Sequence, residues 1–255
     1  MENKVLTAEK FTALSRGWSE KEYSDPAAFM GRRAALVQQW GSPLRPGDRL
    51  LELGCGDGAL SCLLARRGFE VTGVDISRGM IEEAKRRADR EGAAVRFEVA
   101  DADHFEVAEQ YDGVVSFMSA FFTYVENPAR FIEAVRPAVR KKVILDWNFR
   151  SPCTFVAAAQ VMRRAGLGQI EWRPWFVPHT TTTAAAPAAK FRGWVEGRPN
   201  LSLLLLNLKR WHYTLYLKGE SAEAFAPAGR EQFHGNRLPG SFLQRSLIRL
   251  GKGSL

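Results

Sequence analysis

Residues 50–60, Leu50-Leu51-Glu52-Leu53-Gly54-Cys55-Gly56-Asp57-Gly58-Ala59-Leu60, limit what this chain can fold into more than any other stretch. A short apolar run with an acid near its end breaks into three glycines at alternate positions. A helical pattern then resumes, with Leu60, Leu63 and Leu64 on one face. The order is strand, tight turn, helix. Glycine lacks a Cβ, so each can adopt backbone angles closed to other residues and let a ligand lie against the main chain. The helix behind the turn points its free amides at whatever occupies that place.

Several nucleotide folds use such a turn, and the details separate them. A dinucleotide fingerprint needs its third glycine at position 59, which is alanine here. A phosphate-cradling loop needs Gly-Lys followed by Ser or Thr, and no lysine is present. The pattern that fits is acid-x-Gly-x-Gly-x-Gly, opened by Glu52. It resembles the first motif of class I S-adenosylmethionine (SAM)-dependent methyltransferases. The resemblance implies that Glu52, Gly54, Cys55, Gly56 and Gly58 surround the methionine part of the cofactor, with S-adenosylhomocysteine as the product.

The next elements extend that reading. Residues 69–75 form a second strand ending in Asp75, about twenty positions past the glycine turn. A carboxylate there is placed to accept hydrogen bonds from a ribose diol, or, with Ser77, to cap the helix 78–91. That helix is dense in Glu–Arg pairs at three- and four-residue spacing, which suits a solvated surface. Gly73-Val74-Asp75-Ile76-Ser77 resembles the family's second motif, which places Ile76 on one face of the adenine and Met80 near the nucleoside. Val95–Val99 alternates as a half-exposed strand. The following Ala100-Asp101-Ala102-Asp103 resembles the adenine-recognition turn, with Asp101 accepting the exocyclic amine and the Ala102 amide against the ring. Residues 111–117 are a fourth strand, whose end (Ser116, Phe117, Met118) should face the reacting atoms. Residues 143–147 are a fifth, β-branched and buried, with Asp146 and Trp147 on the ligand edge of an open α/β sheet.

Outside this core the reading is coarser. Residues 1–48 read as a helical lid: Thr7 caps a first helix reaching about Arg16, and Ser24-Asp25-Pro26 opens a second running to about Trp40. Tyr23, Phe29 and Arg32 either face the site or pack. Phe121, Phe122 and Tyr124 either line an apolar pocket or pack on the sheet. A helix from after Pro152 to about Ala165, a sixth strand over 169–177 and a seventh over 211–217 complete a methyltransferase domain spanning 49–218. A helical insert falls at about 184–208. Its leucine run (Leu201-Ser202-Leu203-Leu204-Leu205-Leu206), flanked by Arg192, Arg198, Lys209 and Arg210, suits a membrane surface or the core. Residues 219–255 read as a basic, flexible tail with a short helix near 241–250. The implied fold is an α/β, Rossmann-like three-layer sandwich with a seven-stranded, mostly parallel sheet whose last strand is antiparallel.

Charge bears on the substrate. The net charge is +8, but residues 1–149 hold 21 Lys and Arg against 23 Asp and Glu, whereas 150–219 hold 10 against 2. An acidic substrate, nucleic acid or a membrane surface would explain the excess, as would simple solubility. Three cysteines without Cys-x-x-Cys spacing argue for reduced thiols, a cytoplasmic setting and no zinc or other metal site. No run of about 18 apolar residues spans a bilayer.

Methyl transfer needs alignment and drying more than acid–base chemistry. Where a base helps, the candidates are His104, Tyr124, Asp146 and His179; His212, inside a strand, reads as structural. Tyr23, Met118, Phe121, Tyr124 and Trp147 are the candidate substrate wall. Absent are the Asn/Asp-Pro-Pro-Tyr motif of amine methylation in adenine and glutamine, a Pro-Cys pair after the fourth strand, and any RNA-binding module. The expected function is methylation of an O or N atom of a small, aromatic or apolar metabolite, by a monomer or homodimer. The alternatives are an RNA methyltransferase using the basic 150–219 region and a non-catalytic SAM-binding interaction protein.

Overall fold

The computed structural model describes residues 4–117, 121–147, 151, 153–178 and 213–221. Met118, His179, His212, the 184–208 insert and the tail beyond 221 lie outside the described residues.

Four parallel strands come first along the chain. β1 (Arg49–Leu53), β2 (Glu70–Asp75), β3 (Val95–Val99) and β4 (Tyr111–Ser116) are joined through α4 (Ala59–Arg66) and α5 (Arg78–Glu91). β5 (Val139–Trp147) follows the short α6 (Phe121–Tyr124), α7 (Pro128–Val135) and a 3-10 turn. α8 (Phe155–Arg164) then leads to β6 (Gly168–Phe176), and β7 (Tyr213–Glu220) comes last. The sheet order is β3-β2-β1-β4-β5-β7-β6. β7 pairs antiparallel with both β5 and β6, and the other pairs are parallel. This is the seven-stranded mixed sheet expected, with helices on both faces.

Burial follows strand alternation. Leu51, Leu53, Val114, Val143, Leu145 and Leu217 point into one core with Phe121, Phe131, Phe155 and Trp172. Leu50, Val115, Phe117, Ile144 and Tyr216 point into the other, under α3 (Pro26–Gln39) and α4. All the parallel carboxyl ends meet at one edge, between the glycine turn after β1 and the end of β5.

Local differences have local causes. α1 (Lys4–Leu14) begins before Thr7, which is buried inside the helix and caps nothing. A short extra helix, α2 (Trp18–Glu22), bends the lid back toward the glycine turn. α3 starts as expected at proline, with Asp25 as its cap accepting the Ala28 amide. α5 spans 78–91 as read, capped by Ser77, but it is not simply solvated: Glu83 and Arg87 are buried. β5 begins four residues before 143, at Val139, and β7 ends at Glu220, inside the segment read as tail. The Ser221 amide donates to the Lys141 carbonyl, which keeps this end of β7 in the sheet.

Candidate active site

The turn after β1 holds Gly54, Gly56 and Gly58 at φ of 63°, 55° and 75°, all left-handed. Only glycine adopts three such angles in close succession at low cost. The glycines are not equivalent. A methyl added at Gly56 would meet nothing nearer than Trp18 Cδ1 at 3.9 Å. One added at Gly58 would stand 2.9 Å from both Ala84 Cβ and Phe97 Cζ. A side chain at Gly58 would therefore collide with α5 and β3, so packing as well as the turn requires its bare backbone. Gly56 keeps the open approach.

Asp75 leans over this turn from the end of β2. Its Oδ2 accepts the Gly56 amide at 3.0 Å and its Oδ1 accepts the Ser77 amide at 2.9 Å. Burial raises its pKa, and the two amides oppose that rise. It makes no ion pair with a described residue, and each oxygen keeps a lone pair for a hydroxyl. Ser77 supplies the helix cap through its own hydroxyl, which accepts the Met80 amide. A ribose diol therefore fits Asp75, and the open backbone at Gly56 fits the rest of an adenosyl cofactor.

Glu52 is buried, and the Ser61 hydroxyl donates to it at 2.5 Å. Desolvation pushes its pKa up to about 7, against Ser61 and the charge of Arg33. Cys55 is buried, and its amide donates to the Val74 carbonyl, pinning the turn to β2. Ile76 and Ala102 are half-buried, while Met80, Ser116 and Phe117 are buried. Strand alternation places Ser116 and Phe117 on opposite faces, so they do not act as a pair.

Asp101 is already engaged: it accepts from Lys4 Nζ at 2.6 Å, the Asp103 amide at 3.1 Å and His104 Nδ1 at 3.0 Å. Burial alone would raise its pKa, but these donors hold it below the usual range. Lys4 also pairs with Asp103. His104 is 78% exposed, on the outer side of the turn.

Asp146 is fully buried, and its Oδ1 accepts the Phe121 amide at 3.2 Å. Phe121 packs edge-on to Phe122 and Phe131, and Trp147 donates to the Cys153 carbonyl while packing on Phe155. Phe121, Phe122 and Trp147 are buried among core residues. Tyr124 is different: half-buried, it meets Phe11, whose ring stacks edge-on with Trp18 above the glycine turn. Tyr23 is buried against Phe29.

Asp57 fastens the lid, a role not expected from the sequence. Asp57, within the turn, accepts the Ser19 amide at 2.9 Å and the Ser19 hydroxyl at 2.5 Å. Arg87 of α5 donates to Asp57 Oδ2, the oxygen that also accepts the Ser19 amide, at 2.9 Å and reaches Glu20 at 2.7 Å. The lid, the turn and α5 thus share one buried ion cluster. A polar residue within the glycine triplet was the available signal.

The sheet order, the left-handed glycine turn and the free lone pairs of Asp75 describe a nucleoside-binding α/β enzyme of the methyltransferase type. The comparisons agree, and the chain belongs to the class I SAM-dependent methyltransferases. A family model described as a methyltransferase domain matches residues 50–142. The ubiquinone biosynthesis O-methyltransferase of Hahella chejuensis is 30% identical over 191 residues, covering 67% of this chain and 74% of that protein. Its counterpart from Bordetella avium is 27% identical over 193 residues, covering 71% and 78%. In structure, the chain is similar to magnesium protoporphyrin IX methyltransferase from Synechocystis PCC 6803 with bound S-adenosylhomocysteine. The TM-score is 0.57 at 17% identity, covering 85% of this chain and 98% of that one.

Proposed function

We propose that this enzyme methylates an oxygen or nitrogen of a small, aromatic or apolar metabolite. The observation that carries this reading is the aromatic lid. Phe11, Trp18 and Tyr124 form one edge-to-face series, and Trp18 borders the open side of Gly56. A lid fastened this closely suits an acceptor small enough to be enclosed, and the curated relatives are named for O-methylation.

In the proposed site Gly54, Gly56 and Asp75 hold the cofactor, with Glu52 beneath it and Ile76, Met80, Asp101 and Ala102 around the adenine. SAM, when bound, supplies an activated methyl carbon for in-line displacement. The lid aromatics exclude water and orient the acceptor, which is where most of the rate gain arises in such reactions. Tyr124 and Asp146 lie on elements that follow β4 and end β5, where a base would take the acceptor's proton. His104, exposed on the outer side of Asp101, is a weaker candidate.

All three cysteines are free, and the setting we propose is the cytoplasm. Among the described residues no helix is long and apolar enough to cross a membrane.

The test uses SAM labelled at its methyl group, with a panel of alkylated catechols and phenols beside total RNA. Label should enter the low-molecular-mass fraction. Label entering RNA alone, with transfer that falls steeply as salt rises, would overturn the proposal in favour of the basic 150–219 region.

A further inference from the structure

α3 presents an apolar stripe to the sheet: Phe29, Met30, Ala34, Leu36 and Val37 are buried. In the middle of that stripe stands Arg33, 4% exposed. Its Nε donates to the Tyr216 hydroxyl at 3.0 Å. Its guanidinium carbon lies 4.2 Å from the Phe29 ring centre, 5.2 Å from Phe117 and 5.8 Å from Tyr23. Among the described residues no carboxylate reaches it within ion-pair distance, and Nη2 has no hydrogen-bond partner. The charges of Asp146 and Glu52 act on it, and Tyr23 shares a side-chain hydrogen bond with it.

The energetics make this arrangement expensive. A buried guanidinium without a counter-ion costs several kcal/mol. Contacts with aromatic faces return part of that cost. A methionine or leucine would continue the stripe without that cost, so packing alone does not account for a charge here.

The position supplies the missing reason. Asp146 pairs with Tyr216 across β5 and β7, and Leu145 pairs with Ser116, one residue before Phe117. Phe117, Asp146 and Tyr216 therefore make one row along the carboxyl ends of β4 and β5, next to the glycine turn. Arg33 stands over that row, on the edge where an acceptor must lie to reach a methyl group.

We infer that Arg33 receives an anionic oxygen substituent of the acceptor, of which a carboxylate is the simplest, while the rings of Tyr23, Phe117 and Tyr216 flank its body. The inference rests on the small-acceptor reading above and narrows it to an acidic aromatic or apolar molecule. Arg33 is a specificity residue here: it fixes which molecule enters and how it lies.

The test uses the full chain saturated with S-adenosylhomocysteine, whose binding is measured first by calorimetry. Benzoate and its neutral isostere benzamide are then titrated, with tryptophan fluorescence as the readout, against wild type, Arg33→Lys and Arg33→Met. Benzoate should saturate wild type, bind at least tenfold more weakly to Arg33→Lys and not saturate Arg33→Met; benzamide should saturate none. Arg33→Met is melted without ligand alongside wild type, to show that it folds. Equal binding of benzoate and benzamide, or benzoate binding that survives Arg33→Met, would overturn the inference. So would silence toward benzoate in a protein that binds S-adenosylhomocysteine. If Arg33→Met does not fold, the benzoate–benzamide difference and its loss in Arg33→Lys decide. A wild type that fails to bind S-adenosylhomocysteine would instead break the cofactor-site reading.

Discussion

At the scale of single residues, the glycines of the turn divide the labour between ligand and fold. Gly58→Ala forces a methyl against Ala84 and Phe97 at a left-handed φ. It should cost about 2–4 kcal/mol, from overpacking plus backbone strain, and show as a lowered denaturation midpoint. Gly56→Ala meets open space, so its stability loss should stay near ~1–2 kcal/mol of backbone strain. Its affinity for S-adenosylhomocysteine should fall about tenfold, equivalent to ~1.4 kcal/mol. The reverse ranking in calorimetry and melting would show that the two roles have been exchanged. Glu52 gives a second prediction at this scale. Its pKa near 7 in the fold lies above that of an unfolded glutamate, so the folded state holds the proton longer. Stability should therefore fall as pH rises from about 4.5 to above 7, by at most about 3 kcal/mol, and Glu52→Gln should flatten that slope. Binding a sulfonium near the carboxylate should expel the proton. Calorimetry at pH 7 in buffers of different ionisation enthalpy should show proton release, and none in Glu52→Gln.

At the scale of elements, polar contacts, as well as their aromatic face, hold the first two lid helices. Lys4 bridges Asp101 and Asp103; the Thr12 and Ser77 hydroxyls meet at 2.9 Å; Ser19 and Glu20 join Asp57 and Arg87. The first is partly exposed and contributes little. In the last, Asp57 and Arg87 are buried, and removing Arg87 leaves the Asp57 charge uncompensated. Arg87→Met should therefore destabilise by about 3–5 kcal/mol. It should also open residues 4–23 to limited proteolysis before global unfolding begins; uniform cleavage kinetics at unchanged stability would contradict this. A separate buried cluster fastens the opposite end of the sheet. Lys142 donates to the Trp40 carbonyl at 2.7 Å, and Lys218 pairs with Glu220, which also accepts the Ser42 amide at 2.8 Å. It explains why β7 persists to Glu220 where the sequence suggested a tail.

At the scale of the whole molecule, the parts legible in sequence were those whose signal is local. Two-residue alternation, the glycine triplet and the proline-started α3 each need only neighbours along the chain, and they yielded the parallel strands, the turn and the second lid helix. Asp75 was singled out by its distance from the turn, and its carboxylate does reach the Gly56 amide. The illegible parts depend on partners far apart in sequence. Arg33 finds Tyr216 across 183 positions, and Ser19 finds Asp57 across 38. Nothing near Arg33 marks it except that a charge falls where the apolar stripe should continue. Phe121 and Trp147 read as site residues because they follow strands at the ligand edge, yet the 3.6-residue turn of α6 and the alternation of β5 carry their rings into the core. The central claim is that the Gly54–Gly58 turn and Asp75 together hold SAM. Calorimetry of wild type and Asp75→Ala with SAM, S-adenosylhomocysteine and NADH tests it most directly. One equivalent of each adenosyl sulfur species should bind wild type, NADH should not, and Asp75→Ala should weaken binding about 100-fold, equivalent to ~2.7 kcal/mol. Binding of NADH with no response to either sulfur species, or an Asp75→Ala variant that binds as wild type does, would contradict the account.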